Sequence, residues 1–218
     1  KERILVPLDT SNVADAAELA ARLKGYVGGI KLGKEFFTAN GQQGVREVVC
    51  DGQRLFLDLK FHDIPTTVAG AIRSANQLQP FMLNVHASGG RAMMEAAVKA
   101  NAEASGSSCM LLAVTLLTSL SDHDGREIGI EGSIAQQVIR LALLAQECGM
   151  NGVVCSPLEI TQLREACGED FVLVVPGVRP TWAFADDQKR VATPSDAVAM
   201  GADYIVIGRP ITGADDPV

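Results

Sequence analysis

Basic residues are in short supply in this sequence: 19 Lys and Arg stand against 26 Asp and Glu, a formal net charge of −7. Nucleic acid and anionic membrane surfaces both call for a basic face, so the balance argues against either as a partner. Paired cysteines are lacking too. Cys50, Cys109, Cys148, Cys155 and Cys167 are odd in number, scattered, and form no C-x-x-C. They read as buried free thiols in a reducing cytosol. Neither they nor His62, His86 and His123 show the ligand spacing of a zinc site, so no metal is expected. The longest apolar run, residues 110–117, is broken by Thr115 and too short to span a bilayer. The opening KERILVPLD already reads as a strand, so no signal peptide is expected. No linker, low-complexity tract or charge block divides the chain. These absences leave one cytoplasmic domain, residues 1–218, whose 47% apolar content suffices for a large core.

What is present is a repeated alternation. Short apolar runs at residues 4–9, 28–33, 55–60, 81–87, 109–115, 152–156, 171–176 and 204–208 have strand character. Helix-competent segments follow them. Thr10-Ser11-Asn12 offers N-caps for a helix over 13–23; helical residues run through Phe36 and again over 42–50, then over about 66–78, from Ser88-Gly89-Gly90 to Asn101, over 133–148 with Gly149 as its stop, from Pro157 to Cys167, and over 196–200. A polar loop is expected around Asp122, His123 and Asp124. Eight such units, spaced roughly 25 residues apart, predict an α/β fold of the (β/α)8 TIM-barrel type in a single domain. A doubly wound open sheet is the competing architecture. The chain stops at Val218, where a last helix would cover the eighth strand, so the barrel is expected to lack its last C-terminal helix.

The run RLFLDLKFHDIPTT, residues 54–67, carries the chemistry. Period-two alternation puts Leu55, Leu57 and Leu59 on one face and Phe56, Asp58 and Lys60 on the other. A parallel sheet is buried on both faces, so a carboxylate beside an ammonium is costly there unless both are partnered. Taken alone, the pair reads as a solvated salt bridge leaving an ordinary strand. Its surroundings reverse that reading. The working face of such a barrel is the carboxyl end of its strands. There stand Asp9, Lys31, Asp58, Lys60, Thr118, Ser119, Arg179, Gly208 and Arg209, contributed by six of the strands. Arg22, Glu47, Lys99, Arg140 and Arg164 fall on helices and are assigned to solvent. The IGRP turn after strand eight, with Arg179 and Gln188 on the preceding loop, makes a phosphate clamp of backbone N–H groups and guanidinium forks. His86, on an inward strand face, reads as a hydrogen-bonded core residue, and Met93-Met94 as helix packing.

At Asp58-Leu59-Lys60-Phe61-His62-Asp63-Ile64-Pro65 the chain resembles the orotidine 5′-monophosphate decarboxylase family, whose signature is D-x-K-x-x-D-[IV]-P. The likeness extends through the LD ending strand one, K-L-G, NVHASGG, LLTS, PGVRP, DQKRV and IGRP. It implies decarboxylation of orotidine 5′-monophosphate to UMP, in de novo pyrimidine biosynthesis, with no metal or organic cofactor. It implies that Asp9 binds substrate and that Lys31, Asp58, Lys60 and Asp63 form a charged network, in which Lys60 stabilises and protonates the C6 carbanion. It places Ile64, Pro65, Thr66 and Thr67 in the substrate-binding segment, Thr118 at the pyrimidine, and Arg179, Gln188, Gly208 and Arg209 at the phosphate. It also implies a homodimer whose two sites are shared, Asp63 reaching into the neighbouring subunit. Two alternatives remain. One is the related sugar-phosphate branch, keto-gulonate phosphate decarboxylase or hexulose phosphate synthase, which uses a D-x-K strand with magnesium; the other is a nucleotide-binding barrel without turnover.

Overall fold

Strands that are apolar on both faces need cover on both, and a ring of parallel strands inside a ring of helices supplies it. The computed structural model describes residues 1–104, 109–183 and 192–218 and shows this arrangement. In chain order the elements are β1 (Ile4–Pro7), α1 (Val13–Leu23), β2 (Gly29–Gly33), α2 (Lys34–Val48), β3 (Leu55–Phe61), α3 (Pro65–Asn76), β4 (Met82–His86), α4 (Arg91–Glu103), β5 (Met110–Val114), α5 (Asp122–Glu127), α6 (Ile134–Glu147), β6 (Gly152–Val154), α7 (Ile160–Cys167), β7 (Val172–Val175), α8 (Pro194–Ala199), β8 (Tyr204–Val206) and α9 (Arg209–Thr212). Each strand pairs in parallel with the next, and β8 returns to β1 through Ile4↔Ile205 and Leu5↔Val206. The sheet is a closed barrel, not the open sheet that was its competitor.

Alternation along the strands separates two apolar layers. Leu5, Phe56, Met82, Leu112, Val114, Val154, Val174 and Val206 fill the interior. The opposite strand faces, Val6, Ile30, Leu57, Leu83, Leu111, Val153 and Leu173 among them, pack outward against buried helix stripes such as Ala16, Ala20 and Leu23 of α1. At roughly 25 cal/mol per Å² of apolar surface removed from water, these two layers dominate the stability of the fold.

Local signals set the helix boundaries. Asn12 accepts from the amides of Ala14 and Asp15, and a capping box between Ser133 and Gln136 opens α6. The interruption expected between Phe36 and Gln42 is a kink inside α2, where Gly41 has φ 60°. α3 starts on Pro65 with Ile64 as N-cap, since a proline at the first helical position sacrifices no helical hydrogen bond.

Three expectations are corrected. The stretch around Asp122 is the helix α5, opened by a Ser121–Asp124 capping box. It escapes a periodicity reading because its buried residue is Gly125, where a Cβ would stand 2.9 Å from Ile134. Arg164 is not a solvent residue. Its side chain is 11% exposed, donates to the carbonyls of Gly168, Phe171 and Gly201, and pairs with Asp203. Among the thiols, Cys109, Cys148, Cys155 and Cys167 are buried, whereas Cys50 is only half-buried. Met93 and Met94 are buried in the helix layer as expected.

Candidate active site

Because the interior positions of β2 are Gly29, Lys31 and Gly33, this strand brings a lysine where its neighbours bring apolar groups. β3 does the same beyond Phe56, with Asp58 and Lys60. The result is an alternating chain of charges across the barrel mouth. Lys31 Nζ lies 3.6 Å from Asp9 Oδ1 and 3.2 Å from Asp58 Oδ2, and Lys60 Nζ lies 2.6 Å from Asp58 Oδ1. Asp58 sits deepest, its side chain 11% exposed. Burial by itself would raise its pKa, but the charges of Lys31 and Lys60 and the hydrogen bonds from Lys60 and Asn84 outweigh that and hold it below the usual carboxylate range.

The network occupies one wall of a cavity of about 330 Å³. Asp9, Lys31, Asp58 and Lys60 form the charged side, Phe56, Val114, Val154 and Val206 the apolar floor, and Thr118, Gly177 and Gly208 the rim. Fixed charges beside an apolar floor act in a medium of low dielectric, where each is worth more than in water. Gly208 has a steric reason to be glycine, since a Cβ there would meet Pro7 Cγ at 3.1 Å. Beyond the rim, Arg179 and Arg209 line a second hollow of about 290 Å³ together with Trp182, Pro210, Gly213 and Ala214. Two guanidinium groups at one opening suit a dianion such as a phosphoryl group.

Of the residues singled out in the sequence, Asp9, Lys31, Asp58, Lys60, Thr118 and Gly208 meet at the first cavity, and Arg179 and Arg209 at the second. Gln188 falls outside the described residues. Asp63, Ile64, Thr66 and Thr67 are exposed, Pro65 is half-buried, and none of these lines either cavity. The Asp63 carboxylate instead accepts from the amide of Ile64 at 2.6 Å. His86 is half-buried rather than a core residue, its ring 5.5 Å from that of His62. Burial, with the nearby charges of His62, Lys34 and Lys60, pushes its pKa down to about 4. His123, Asp124 and Glu127 draw together on α5, His123 and Glu127 exposed and Asp124 half-buried, apart from both cavities. Two contributors were not assigned to the site from sequence: Trp182, which lacks any pattern around it, and Asn84, whose place on the inward face of β4 was the available signal.

Fold and site together define a parallel-barrel enzyme working at the carboxyl mouth of its strands. Residues 2–218 match the model of the orotidine 5′-phosphate decarboxylase / HUMPS family, and the chain belongs to that family. It is 56% identical over 219 residues to the orotidine 5′-phosphate decarboxylase of Rhodospirillum rubrum, covering 98% of this chain and 89% of that one. The corresponding protein of Moorella thermoacetica is 52% identical, with coverage of 100% and 88%. Among solved structures, the orotidine 5′-phosphate decarboxylase of Lactobacillus acidophilus superposes with a TM-score of 0.88 at 37% identity, covering 100% of this chain and 94% of that one.

Proposed function

We propose that this protein removes carbon dioxide from C6 of orotidine 5′-monophosphate, yielding UMP for pyrimidine biosynthesis, and does so without metal or organic cofactor. The observation that carries the proposal is the Lys31–Asp58–Lys60 chain on one wall of a cavity also lined by Gly208, whose neighbour in the chain, Arg209, lines a second hollow with Arg179. Similarity to relatives named for this activity supports it. Scission of the C6–carboxylate bond leaves an electron pair in the ring plane, outside the pyrimidine π system, so stabilisation has to come from fixed charge. The Lys60 ammonium supplies that charge and then transfers a proton to C6, recovering one from solvent afterwards. Asp58 faces the departing carboxylate. Two unit charges ~4 Å apart at an effective dielectric of ~20 repel by roughly 4 kcal/mol, which is relieved as neutral carbon dioxide leaves. Since enzymes lower barriers by about 8–23 kcal/mol, the larger share falls to Lys60 and to binding energy from remote groups.

On the strength of the family resemblance we assign Asp9 and Lys31 to substrate binding, Thr118 to the pyrimidine, and Arg179, Gln188, Gly208 and Arg209 to the phosphate. Asp63, Ile64, Pro65, Thr66 and Thr67 stand away from their own cavity. We read them as the contribution to a partner's site in a cytoplasmic homodimer. Among the described residues, no helix is long and apolar enough to cross a membrane.

The decisive experiment follows the loss of orotidine 5′-monophosphate absorbance in excess chelator. Turnover unchanged by chelator is expected. Magnesium-dependent turnover of a sugar phosphate in its place would assign the chain to the other branch of the family, and tight UMP binding without turnover would make it a binding protein.

A further inference from the structure

Asn84 is a fully buried polar residue on the inward face of β4, and both ends of its amide are used on β3. Its Nδ2 donates to Asp58 Oδ1 at 2.7 Å, the same oxygen that takes the Lys60 ammonium at 2.6 Å. Its Oδ1 accepts the backbone N–H of Lys60 at 2.8 Å. This orientation of the amide is chemically forced, because a carboxylate only accepts and a backbone N–H only donates.

The strand geometry explains why a side chain has to be there. Leu57 pairs with Leu83 and Phe61 with Val85, so Asp58, Leu59 and Lys60 all stand opposite Asn84. Such a bulge strips backbone groups of their ladder partners and re-aims side chains. Lys60 within it has φ 50°, a left-handed conformation that a non-glycine residue keeps only where its surroundings over-determine it. The Asn84 oxygen takes the N–H that the bulge releases. Its nitrogen occupies a lone pair of Asp58 that would otherwise be free to swing toward solvent or toward Lys31.

We infer that Asn84 is a positioning residue for the decarboxylation. It locks the left-handed backbone of Lys60 and the rotamer of the Asp58 carboxylate, so that ammonium and carboxylate are held at fixed points on the cavity wall. The inference rests on the function proposed above. It assigns Asn84 no contact with substrate, so its removal acts on kcat more than on KM.

Two variants test it. Asn84→Leu keeps the γ-branched shape at a somewhat larger volume and loses both hydrogen bonds. Asn84→Asp keeps the acceptor for the Lys60 N–H and regains the donor only when the new carboxyl is protonated. Its titration is shaped by Asp58 and Lys60 on β3, Lys31 on β2 and the neighbouring His86 on β4. Expected for Asn84→Leu is a kcat lower by roughly 10- to 100-fold, the scale of a hydrogen bond to a charged group, with KM changed less. Asn84→Asp should approach wild-type kcat at acid pH and fall away from it as pH rises, a limb that neither wild type nor Asn84→Leu shows. Should Asn84→Leu fail to fold, the near-isosteric Asn84→Asp decides alone. An Asn84→Asp pH profile parallel to wild type, or Asn84→Leu with kcat within about threefold of it, would overturn the assignment while leaving the decarboxylase function intact. A wild-type protein without turnover would overturn both.

Discussion

Lys60 combines three features that separate it from an ordinary surface lysine: a left-handed backbone, a 2.6 Å contact to Asp58, and a place on the wall of the central cavity. In the proposed mechanism, Lys60→Ala removes both the charge assigned to stabilising the carbanion and the proton assigned to quenching it. The expected outcome is a fall in kcat of at least about 10⁴-fold, combining the usual losses for an electrostatic donor and a general acid, with the far-UV circular dichroism spectrum unchanged. Retained turnover would remove the mechanism. His86 gives a second prediction, in stability. Its folded pKa is pushed below the ordinary 6.5 to about 4, so between those values the unfolded chain binds a proton that the folded chain does not. Stability therefore falls as pH drops from 6.5 toward 4, by about 1–3 kcal/mol from this group. Urea midpoints at pH 7 and 4.5 should converge in His86→Gln; an undiminished pH dependence would place its origin elsewhere. Asp58 carries the opposite linkage: its depressed pKa adds stability above the unfolded value of 3.8, lost only as pH falls below that.

Among the elements, β3 and β4 carry the site and α7 secures the opposite end of the barrel. The D-x-K face of β3 was readable because Leu55, Leu57 and Leu59 alternate with Phe56, Asp58 and Lys60, and the two sets do part between the outer layer and the cavity side. The bulge that aims Lys60 was not readable, since it arises from how two strands register, and a single strand's pattern contains no trace of its neighbour. Arg164 eluded sequence reasoning for a similar reason. On its helix it looks like any solvent-facing arginine, yet it ties α7 to carbonyls at Gly168, Phe171 and Gly201 and to Asp203 ahead of β8. Arg164→Met should lower unfolding free energy by about 3–5 kcal/mol, because Asp203 and several carbonyls are left without their donor. Denaturant titration measures it, and a change under about 1 kcal/mol would mean that water replaces the guanidinium at little cost.

For the whole molecule the proposal is that each site is completed by a second chain. Asp63, the second acid of the D-x-K-x-x-D signature, is exposed and bonded to its own Ile64 amide, and Ile64 is 64% exposed beside it. Exposed apolar surface of this kind next to a site suits contact with another subunit. If sites are shared, Lys60→Ala and Asp63→Ala chains, each inactive alone, should complement on mixing. Hybrid dimers carry one intact site each, so random assortment restores about a quarter of wild-type activity. No recovery after dissociation and reassociation, verified by the mass of the mixed species, would place Asp63 outside the partner's site.

The one-dimensional pattern determined the barrel, because eight apolar runs separated by capped amphipathic helices have few other ways to bury both strand faces. It also determined that an acid and two lysines face inward at the mouth, since strand periodicity alone dictates which side chains share a face. Tertiary structure alone decided that Asn84 grips Asp58 and the Lys60 backbone, that Arg164 is buried, and that Asp63 stands outside its own cavity. These contacts join segments distant in sequence through side-chain geometry, and local preference cannot encode a distance between strands that only closure of the barrel brings into being.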